Sequence, residues 1–246
     1  MSDSYEGLST HYDLIMTSGY YDYDAYARTL LDLTGDRSRL LEVGVGTGLV
    51  CERLLDLAEG SLEITGVDHT ESMLVQARRR LGDRVRLLRA DIRHADIPSS
   101  FDVGYSVGGV WYFIHDQEND AVSFGSHLLE DDDNITALRR VHAALKPGGV
   151  LALAAQGPHR DYERPLPGGL VYGQEARAVA DGVFVKDYSV KRLTRSQHGE
   201  AGEMVAQQRC RYRTYTAEQA EDLLEQCGFR FAGVTGEGLF HHFIRL

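Results

Sequence analysis

The sequence predicts an α/β fold in which helices cover both faces of a mostly parallel sheet. Residues 40–48, Leu-Leu-Glu-Val-Gly-Val-Gly-Thr-Gly, lead from an apolar strand through an acid into a glycine-rich turn, and the apolar residues of 49–55 then recur with helical spacing. Two further apolar segments, 64–68 and 85–92, each reach an acid at or near their ends. Strands that alternate with helical segments in this way are typical of βαβ units, and hence of a parallel sheet.

The glycine turn indicates that the backbone approaches a ligand closely where a helix begins. A dinucleotide fingerprint, Gly-x-Gly-x-x-Gly, that began at Gly44 and Gly46 would need its third glycine at position 49, which is Leu49. The third glycine is Gly48 instead. The acid Glu42 would repel a pyrophosphate, whereas it suits a cofactor with a cationic end.

The following elements place more acids at the same edge of the predicted sheet. Asp68 ends a strand at the separation from the glycines at which a carboxylate can accept both ribose hydroxyls. A helix is predicted to start near Met73, and the third strand ends at Asp91. Segment 101–106 predicts a fourth strand, and 145–153 predicts a helix end, a Pro-Gly-Gly turn and a fifth strand.

Taken in order, the elements from Leu40 to Ala155 resemble those of class I S-adenosylmethionine-dependent methyltransferases, whose first motif is Glu/Asp-x-Gly-x-Gly-x-Gly. The resemblance implies a Rossmann-like, seven-stranded, mostly parallel sheet and S-adenosylmethionine, which carries an ammonium and a sulfonium, as the cofactor. It also implies that Asp68 binds the ribose and that Asp91 and the next residue meet the adenine. The predicted cofactor-binding residues are Tyr12, Glu42, Gly44, Gly46, Gly48, Asp68, His69, Met73, Asp91, Ile92 and Val107.

Length and composition predict one globular domain with additions. The chain has 246 residues, of which 43% are hydrophobic, enough for a sizeable core. We expect a single methyltransferase domain over 1–246 that divides into an N-terminal helical lid (1–34), a cofactor-binding core (35–155), an antiparallel hairpin cap (156–215) and a C-terminal helix with the last core strands (216–246).

Charge and cysteine content exclude several classes of partner. With 26 basic and 37 acidic residues the net charge is −11, which argues against a nucleic-acid substrate. Methyltransferases of base amino groups often carry Asn/Asp-Pro-Pro-Tyr after the fourth strand, where this chain has Ser-Val-Gly-Gly at 106–109. The three cysteines show no paired or metal-ligand spacing, so we expect a reduced, cytoplasmic protein. No segment has an apolar run long enough to span a membrane.

The N-terminal region is dense in tyrosine. Its tyrosines are Tyr5, Tyr12, Tyr20, Tyr21, Tyr23 and Tyr26. They either cover apolar surface or belong to a lid helix that closes over the cofactor and offers hydroxyls to a substrate. Tyr12-Asp13 resembles a Tyr-Asp pair in the N-terminal helix of small-molecule methyltransferases, which implies that Tyr12 lies beside the cofactor.

The segment after the fourth strand is expected to line the acceptor pocket, with Trp111 and Tyr112 as its walls. Partial burial in the core is the alternative for Trp111. Tyr12, His115 and His241 are the candidate general bases, although a structural role is an equal alternative for the histidines. The acidic residues 130–133 favour solvated charge, with Asn134 as a helix N-cap, over a metal site, and no metal is expected.

Residues 156–215 predict an antiparallel layer outside the parallel core. Segment 182–190 reads as a strand after a loop over 157–173, a turn is expected at 199–202, and 208–216 alternates with arginines on one face. Similar layers in sugar N,N-dimethyltransferases and glycine N-methyltransferase-like enzymes roof the pocket or form a dimer surface, which leaves a homodimer open. A solvated face is favoured for the arginines over binding of a substrate carboxylate or phosphate.

These observations predict in-line methyl transfer to a nitrogen or oxygen nucleophile of a small metabolite, as in natural-product biosynthesis. Two other functions stay open at this point: a cofactor-assisted cyclisation or rearrangement on the same fold, and a noncatalytic binding or regulatory subunit.

Overall fold

The computed structural model describes residues 7–58, 60–196 and 199–246, so Tyr5 lies outside the described residues. The described strands in chain order are β1 (Arg39–Val43), β2 (Glu63–Asp68), β3 (Val85–Arg89), β4 (Phe101–Ser106), β5 (Trp111–Asp116), β6 (Ala121–Ser126), β7 (Leu145–Gln156), β8 (Tyr162–Leu166), β9 (Leu170–Ala180), β10 (Val183–Ser196), β11 (Gly199–Thr216), β12 (Phe229–Thr235) and β13 (Phe240–Arg245). The described α-helices are α1 (Ser9–Thr17), α2 (Tyr23–Thr34), α3 (Leu49–Leu57), α4 (Glu71–Leu81), α5 (Asp131–Ala144) and α6 (Ala217–Gln226).

A seven-stranded sheet with the order β3-β2-β1-β4-β7-β13-β12 forms the centre of the described part of the molecule. In this order, β3, β2, β1, β4 and β7 pair in parallel, and β13 lies antiparallel between β7 and β12. Leu30, Leu54 and Leu74 bring α2, α3 and α4 against one face, whereas Leu138 and Leu224 bring α5 and α6 against the other. The prediction of a Rossmann-like α/β fold is confirmed.

A second, antiparallel layer extends the sheet in the order β5-β6-β11-β10-β9-β8. It joins the core where Phe113 and Ile114 of β5 pair in parallel with the last residues of β7. The sequence predicted one hairpin, but the cap contains four strands, β8 to β11, and the segment expected to form a loop includes β8. Pro165 fits in β8 because that strand ends the layer and the proline has no N–H to offer a further neighbour.

The prediction of a turn at 199–202 is also wrong. These residues belong to β11, whose pairing with β10 extends to the pair of Ser196 and Gly199. The segment after the fourth strand, which was expected to line the acceptor pocket, also forms a strand, β5. Alternation of side chains along β5 therefore decides which of its residues can face a pocket.

The sequence predicted Asn134 as a helix N-cap, but this residue lies fully buried within α5. Its side-chain oxygen accepts hydrogen bonds from Trp111 Nε1 (2.8 Å) and Ser126 Oγ (2.6 Å). These buried donors need an acceptor, and the amide supplies one from inside the helix. The helix begins at Asp131, and its first turn contains three aspartates that favour the positive end of the helix dipole.

The N-terminal helix α1 is fixed over the glycine turn by Asp13. Its carboxylate accepts a hydrogen bond from Thr47 Oγ1 (2.5 Å) and forms an ion pair with Arg80, which also binds Glu52 (2.6 Å). Tyr12 is thereby held at the carboxyl edge of the sheet. In the described part of the chain, no helix is both long and apolar enough to cross a membrane.

Candidate active site

A cleft of about 610 Å³ lies at the carboxyl ends of β1, β2, β3 and β4, beneath residues 208–211 of β11. Eight of the predicted cofactor-binding residues line it: Tyr12, Gly44, Gly46, Asp68, His69, Met73, Asp91 and Ile92. Clefts at this edge of a parallel sheet are where nucleotide-like ligands bind in doubly wound folds.

The glycine turn and Asp68 form one rigid wall of the cleft. Gly44 has φ +80°, and a Cβ there would lie 2.8 Å from the Cα of Gly109. Gly46, with φ +53°, would point a Cβ into open space. The carboxylate of Asp68 accepts hydrogen bonds from the backbone N–H groups of Gly46 (2.9 Å) and Thr70 (2.8 Å). Each oxygen keeps a lone pair for a further donor, such as a ligand hydroxyl.

Three predicted cofactor residues do not line the cleft. Gly48 caps α3 in the left-handed conformation, and a Cβ there would lie 2.6 Å from Leu81 Cδ1, so its role is to let α3 and α4 meet. Val107 belongs to the core. Glu42 is buried below the turn, where its Oε2 accepts from Cys51 Sγ (2.8 Å) and Tyr105 Oη (3.0 Å).

The environment of Glu42 contradicts the expectation that it faces the cationic end of a cofactor. Burial raises the pKa of its carboxyl to about 8, against which the hydrogen bonds from Cys51 and Tyr105 act only in part. At neutral pH the protonated form therefore predominates, and the residue joins β1 to α3 and β4 by hydrogen bonds.

Asp91 has a partner that the sequence reasoning did not identify. The guanidinium of Arg93 binds both Asp91 and Asp133 of α5 (2.7 Å), and it lowers the pKa of the Asp91 carboxyl. The only sequence signal for this ion pair is an arginine two residues after an acid at a strand end. The pair keeps Asp91 charged at the rim of the cleft.

A second, inner pocket opens from the cleft at Tyr12, Gly108 and His127, which line both. It is narrow, about 20 Å³ in this conformation, and runs between α1 and the antiparallel layer. Its other lining residues are Met16, Tyr20, Tyr21, Tyr112, Gln156, His159, Lys186 and Tyr188. Tyrosine hydroxyls, two histidines and a lysine thus surround this pocket.

Six polar side chains of the inner pocket form one hydrogen-bonded chain. Lys186 Nζ lies 2.8 Å from Tyr20 Oη and 2.9 Å from His159 Nδ1. His159 Nε2 lies 3.1 Å from Tyr112 Oη and 3.2 Å from Gln156 Nε2, and Gln156 accepts from Tyr21.

Burial lowers the pKa values of the bases of this pocket, so that both histidines are uncharged near neutral pH and Lys186 is present as both amine and ammonium. It lowers the pKa of Lys186 to about 7 and that of His127 to about 4, and it holds the pKa of His159 well below its usual range. Burial conversely raises the pKa of the Tyr12 hydroxyl, which stays protonated.

Tyr112 lines the inner pocket, but Trp111 does not, so the prediction that Trp111 is a pocket wall is wrong. Successive side chains of β5 point to opposite faces. Trp111 is fully buried in the core that contains Phe113, and its indole N–H donates to Asn134. The functional role of Tyr112 stays a prediction.

His115 and His241 form a pair away from both pockets. Their Nε2 atoms lie 2.7 Å apart, and the His241 ring stacks on Phe113 with centroids 3.7 Å apart. Neither residue lines the cleft or the inner pocket. This placement contradicts the prediction that either imidazole acts as a base on the acceptor.

Sequence reasoning missed His127, His159 and Lys186. For Lys186 a signal existed, because it occupies the position in β10 whose strand neighbours on the same face, Tyr188 and Val190, are buried. A lysine at such an inward position is unusual unless it has a polar partner.

Residues 40–123 match the model of a family described as a methyltransferase domain. The matched range contains the glycine turn, Asp68 and Asp91, which border the cleft, and also β5, which does not. This match, together with the cleft at the carboxyl edge of the sheet, supports an S-adenosylmethionine-dependent methyltransferase.

Known methyltransferases resemble this one over different shares of its length. It is 24% identical over 243 residues to the putative methyltransferase YqeM of Bacillus subtilis (strain 168), which covers 95% of this chain and 89% of that protein. It is 27% identical over 135 residues to the uncharacterized methyltransferase GWCH70_2477 of Geobacillus sp. (strain WCH70), over 54% of this chain and 61% of that relative's length.

Among solved structures, the methyltransferase shares its fold with SAM-bound CalS10, an amino pentose methyltransferase from Micromonospora echinaspora. The TM-score is 0.71 at 22% identity, with 96% of each chain covered. Within the described residues, no group of three or more His, Cys, Asp or Glu side chains could hold a metal ion.

Proposed function

We propose that this methyltransferase moves the methyl group of S-adenosylmethionine to a nitrogen or oxygen nucleophile of a small metabolite held in the inner pocket. One observation carries the proposal: Tyr12, Gly108 and His127 border both the cleft and the inner pocket, so a ligand in each would meet there. The inner pocket must widen to admit an acceptor, and the tyrosine side chains from α1 and the loop after it are the part that can move without disturbing the sheet.

The residues of the cleft fit the cofactor. Gly46 leaves room for close approach of a ligand to the backbone, and Asp68 presents a fixed carboxylate to the ribose hydroxyls. Met73 and Ile92 offer apolar side chains to the adenine. The bound cofactor supplies an electrophilic methyl group, so the protein has to align the two partners and exclude water.

His127 is the group best suited to accept a proton at the junction. Its Nδ1 lies 3.3 Å from the carbonyl oxygen of Arg211, and because a carbonyl only accepts, Nδ1 carries the hydrogen. Nε2 is then a lone-pair acceptor in an imidazole whose low pKa keeps it neutral. Tyr12, protonated at the same junction, can orient the acceptor by hydrogen bonding.

The structural likeness to an amino pentose methyltransferase supports acceptors that carry amino or hydroxyl groups. The three cysteines are buried and form no disulfide in the described part of the chain, which supports the expectation of a reducing, cytoplasmic setting.

The test is an acceptor screen with product analysis by mass spectrometry. The purified protein is incubated with S-adenosylmethionine and panels of amines, phenols, carboxylic acids and amino sugars. Equal amounts of S-adenosylhomocysteine and of a product heavier by one methyl group would support the proposal. Consumption of S-adenosylmethionine without S-adenosylhomocysteine would replace it with a rearrangement, and bound but unconsumed cofactor across every panel would replace it with a binding subunit.

A further inference from the structure

Lys186 is a buried amine at the inner end of the pocket. It is 3% exposed, and its Nζ contacts Tyr20 Oη (2.8 Å) and His159 Nδ1 (2.9 Å). The amine also lies 4.7 Å from the ring centroid of Tyr188 and 5.4 Å from that of Tyr20. All of these partners are neutral, and aromatic faces together with lone pairs favour the protonated amine.

The other two lysines of the chain are partnered differently. Lys146 Nζ lies 2.5 Å from Asp102, and Lys191, on the same strand as Lys186, lies 3.0 Å from Glu163. Among the described residues, Lys186 has no carboxylate within ion-pair distance, and the lining of the inner pocket contains none. The next residue, Asp187, instead pairs with Arg177 and Arg209.

This absence of acids is specific to the pocket. The chain has 37 acidic residues and a net charge of −11, so a carboxylate beside a buried lysine would be easy to provide. Leaving a buried amine without one is costly unless a ligand supplies the negative charge.

We propose that Lys186 binds an anionic oxygen group, such as a carboxylate or phosphate, of the methyl acceptor. This inference rests on the proposed function, because it assigns the inner pocket to the acceptor. The buried ammonium would donate to the anion while Tyr20 and His159 hold the side chain in place. Burial lowers the pKa of Lys186 to about 7, and an anion bound beside Nζ would raise it.

The cofactor itself also carries a carboxylate, which is the alternative anion for Lys186 to bind. The acceptor is favoured because Lys186 lines only the inner pocket, whereas Asp68 and the glycine turn, which fix the cofactor's position, border the cleft. The experiment therefore measures cofactor and anion binding separately.

The direct readout is the NMR signal of the Lys186 side chain. With three lysines in the chain, protein labelled at lysine Cε gives three such signals, and Lys186→Met assigns one of them. The protein is saturated with S-adenosylhomocysteine and titrated with benzoate, with inorganic phosphate, and with benzamide as the neutral isostere of benzoate. We expect benzoate or phosphate to raise the pKa of Lys186 by about one unit or more, and benzamide to leave it unchanged.

Calorimetry with variants supplies the controls. We expect Lys186→Met to abolish the preference for anion over benzamide, and Lys191→Met, which loses an exposed lysine of the same strand, to keep it. Both variants should bind S-adenosylhomocysteine like the wild type. If neither anion perturbs Lys186 more than benzamide does, the inference is overturned while the proposed function stands. If Lys186→Met weakens S-adenosylhomocysteine binding by roughly tenfold or more, the anion is that of the cofactor, and the assignment to the acceptor is overturned.

Discussion

At the scale of single residues, Trp111 and Tyr112 are adjacent on β5 but serve different surfaces. Tyr112 Oη reaches His159 in the inner pocket, whereas the indole of Trp111 fills the core and donates to Asn134. Both side chains are at most 2% exposed, so burial alone does not distinguish a pocket residue from a core residue. The face of the strand on which the side chain lies distinguishes them.

Substitution of these two residues should separate catalysis from stability. Tyr112→Ala is expected to lower kcat/KM for the acceptor by roughly tenfold or more with little change in cofactor affinity. Trp111→Ala should lower the free energy of unfolding by about 3–5 kcal/mol, because it leaves a large cavity and removes one of the two hydrogen bonds to the Asn134 side-chain oxygen. Steady-state kinetics and urea unfolding measure the two effects. Loss of cofactor binding in Tyr112→Ala, or unchanged stability in Trp111→Ala, would show the faces to be assigned wrongly.

Glu42 gives a pH dependence whose sign follows from its raised pKa. The ordinary carboxyl pKa is 4.5, and the folded value is about 8, so between these pH values the folded protein holds a proton that the unfolded chain releases. The free energy of unfolding therefore falls as pH rises through this window. In Glu42→Gln, which keeps an oxygen acceptor for Cys51 and Tyr105, the decline should be smaller. Urea unfolding at several pH values tests this, and equal slopes for both proteins would contradict the placement of Glu42.

At the scale of elements, the attachment of α1 depends on Asp13. Asp13→Ala removes the hydrogen bond from Thr47 and the ion pair with Arg80, a loss of about 1–3 kcal/mol for a partly buried charged network. We expect faster amide hydrogen exchange over α1 and a higher KM for the acceptor, because Tyr12 is then less well positioned. Asp24→Ala, which removes an ion pair with Arg53 on the more exposed surface of α2, is the matched control. Equal exchange over α1 in the two variants would count against this role of Asp13.

The elements also show why the cofactor half of the site could be predicted from the sequence and the acceptor half could not. The glycine turn, Asp68 and Ile92 are local features, since each lies within a few residues of a strand end that the apolar pattern defines. The inner pocket instead combines α1, β5 and β10, which meet only through long-range strand pairing. Lys186 and His159 are 27 positions apart, and neither has a local motif.

The errors have the same physical basis. Asn134 looked like a helix cap because local hydrogen bonding usually decides the position of asparagine, but the buried donors of β5 and β6 outweighed that preference. His115 and His241 looked like bases because the face of a strand cannot be read before its partners are known.

At the scale of the whole molecule, two sheets share β7 and enclose the site between them. The parallel sheet supplies the cleft at its carboxyl edge, and the antiparallel layer bends over that edge, so that residues 208–211 of β11 cover the cleft and β10 brings Lys186 into the inner pocket. The arginines of β11 divide accordingly: Arg209 pairs with Asp187, Arg213 with Asp131, and Arg211 lies at the cleft. The face predicted to be solvated is thus partly engaged.

The central claim is that this cleft holds the cofactor, with Asp68 on its ribose. Calorimetric titration of S-adenosylhomocysteine into the wild type, Asp68→Ala and the control Asp83→Ala, an exposed aspartate, tests it most directly. We expect one site per chain in the wild type and in Asp83→Ala, and binding weaker by on the order of 2–4 kcal/mol in Asp68→Ala, because the charge-assisted hydrogen bonds to the ribose are lost. Equal affinity in all three proteins, with circular dichroism showing an intact fold, would contradict the claim.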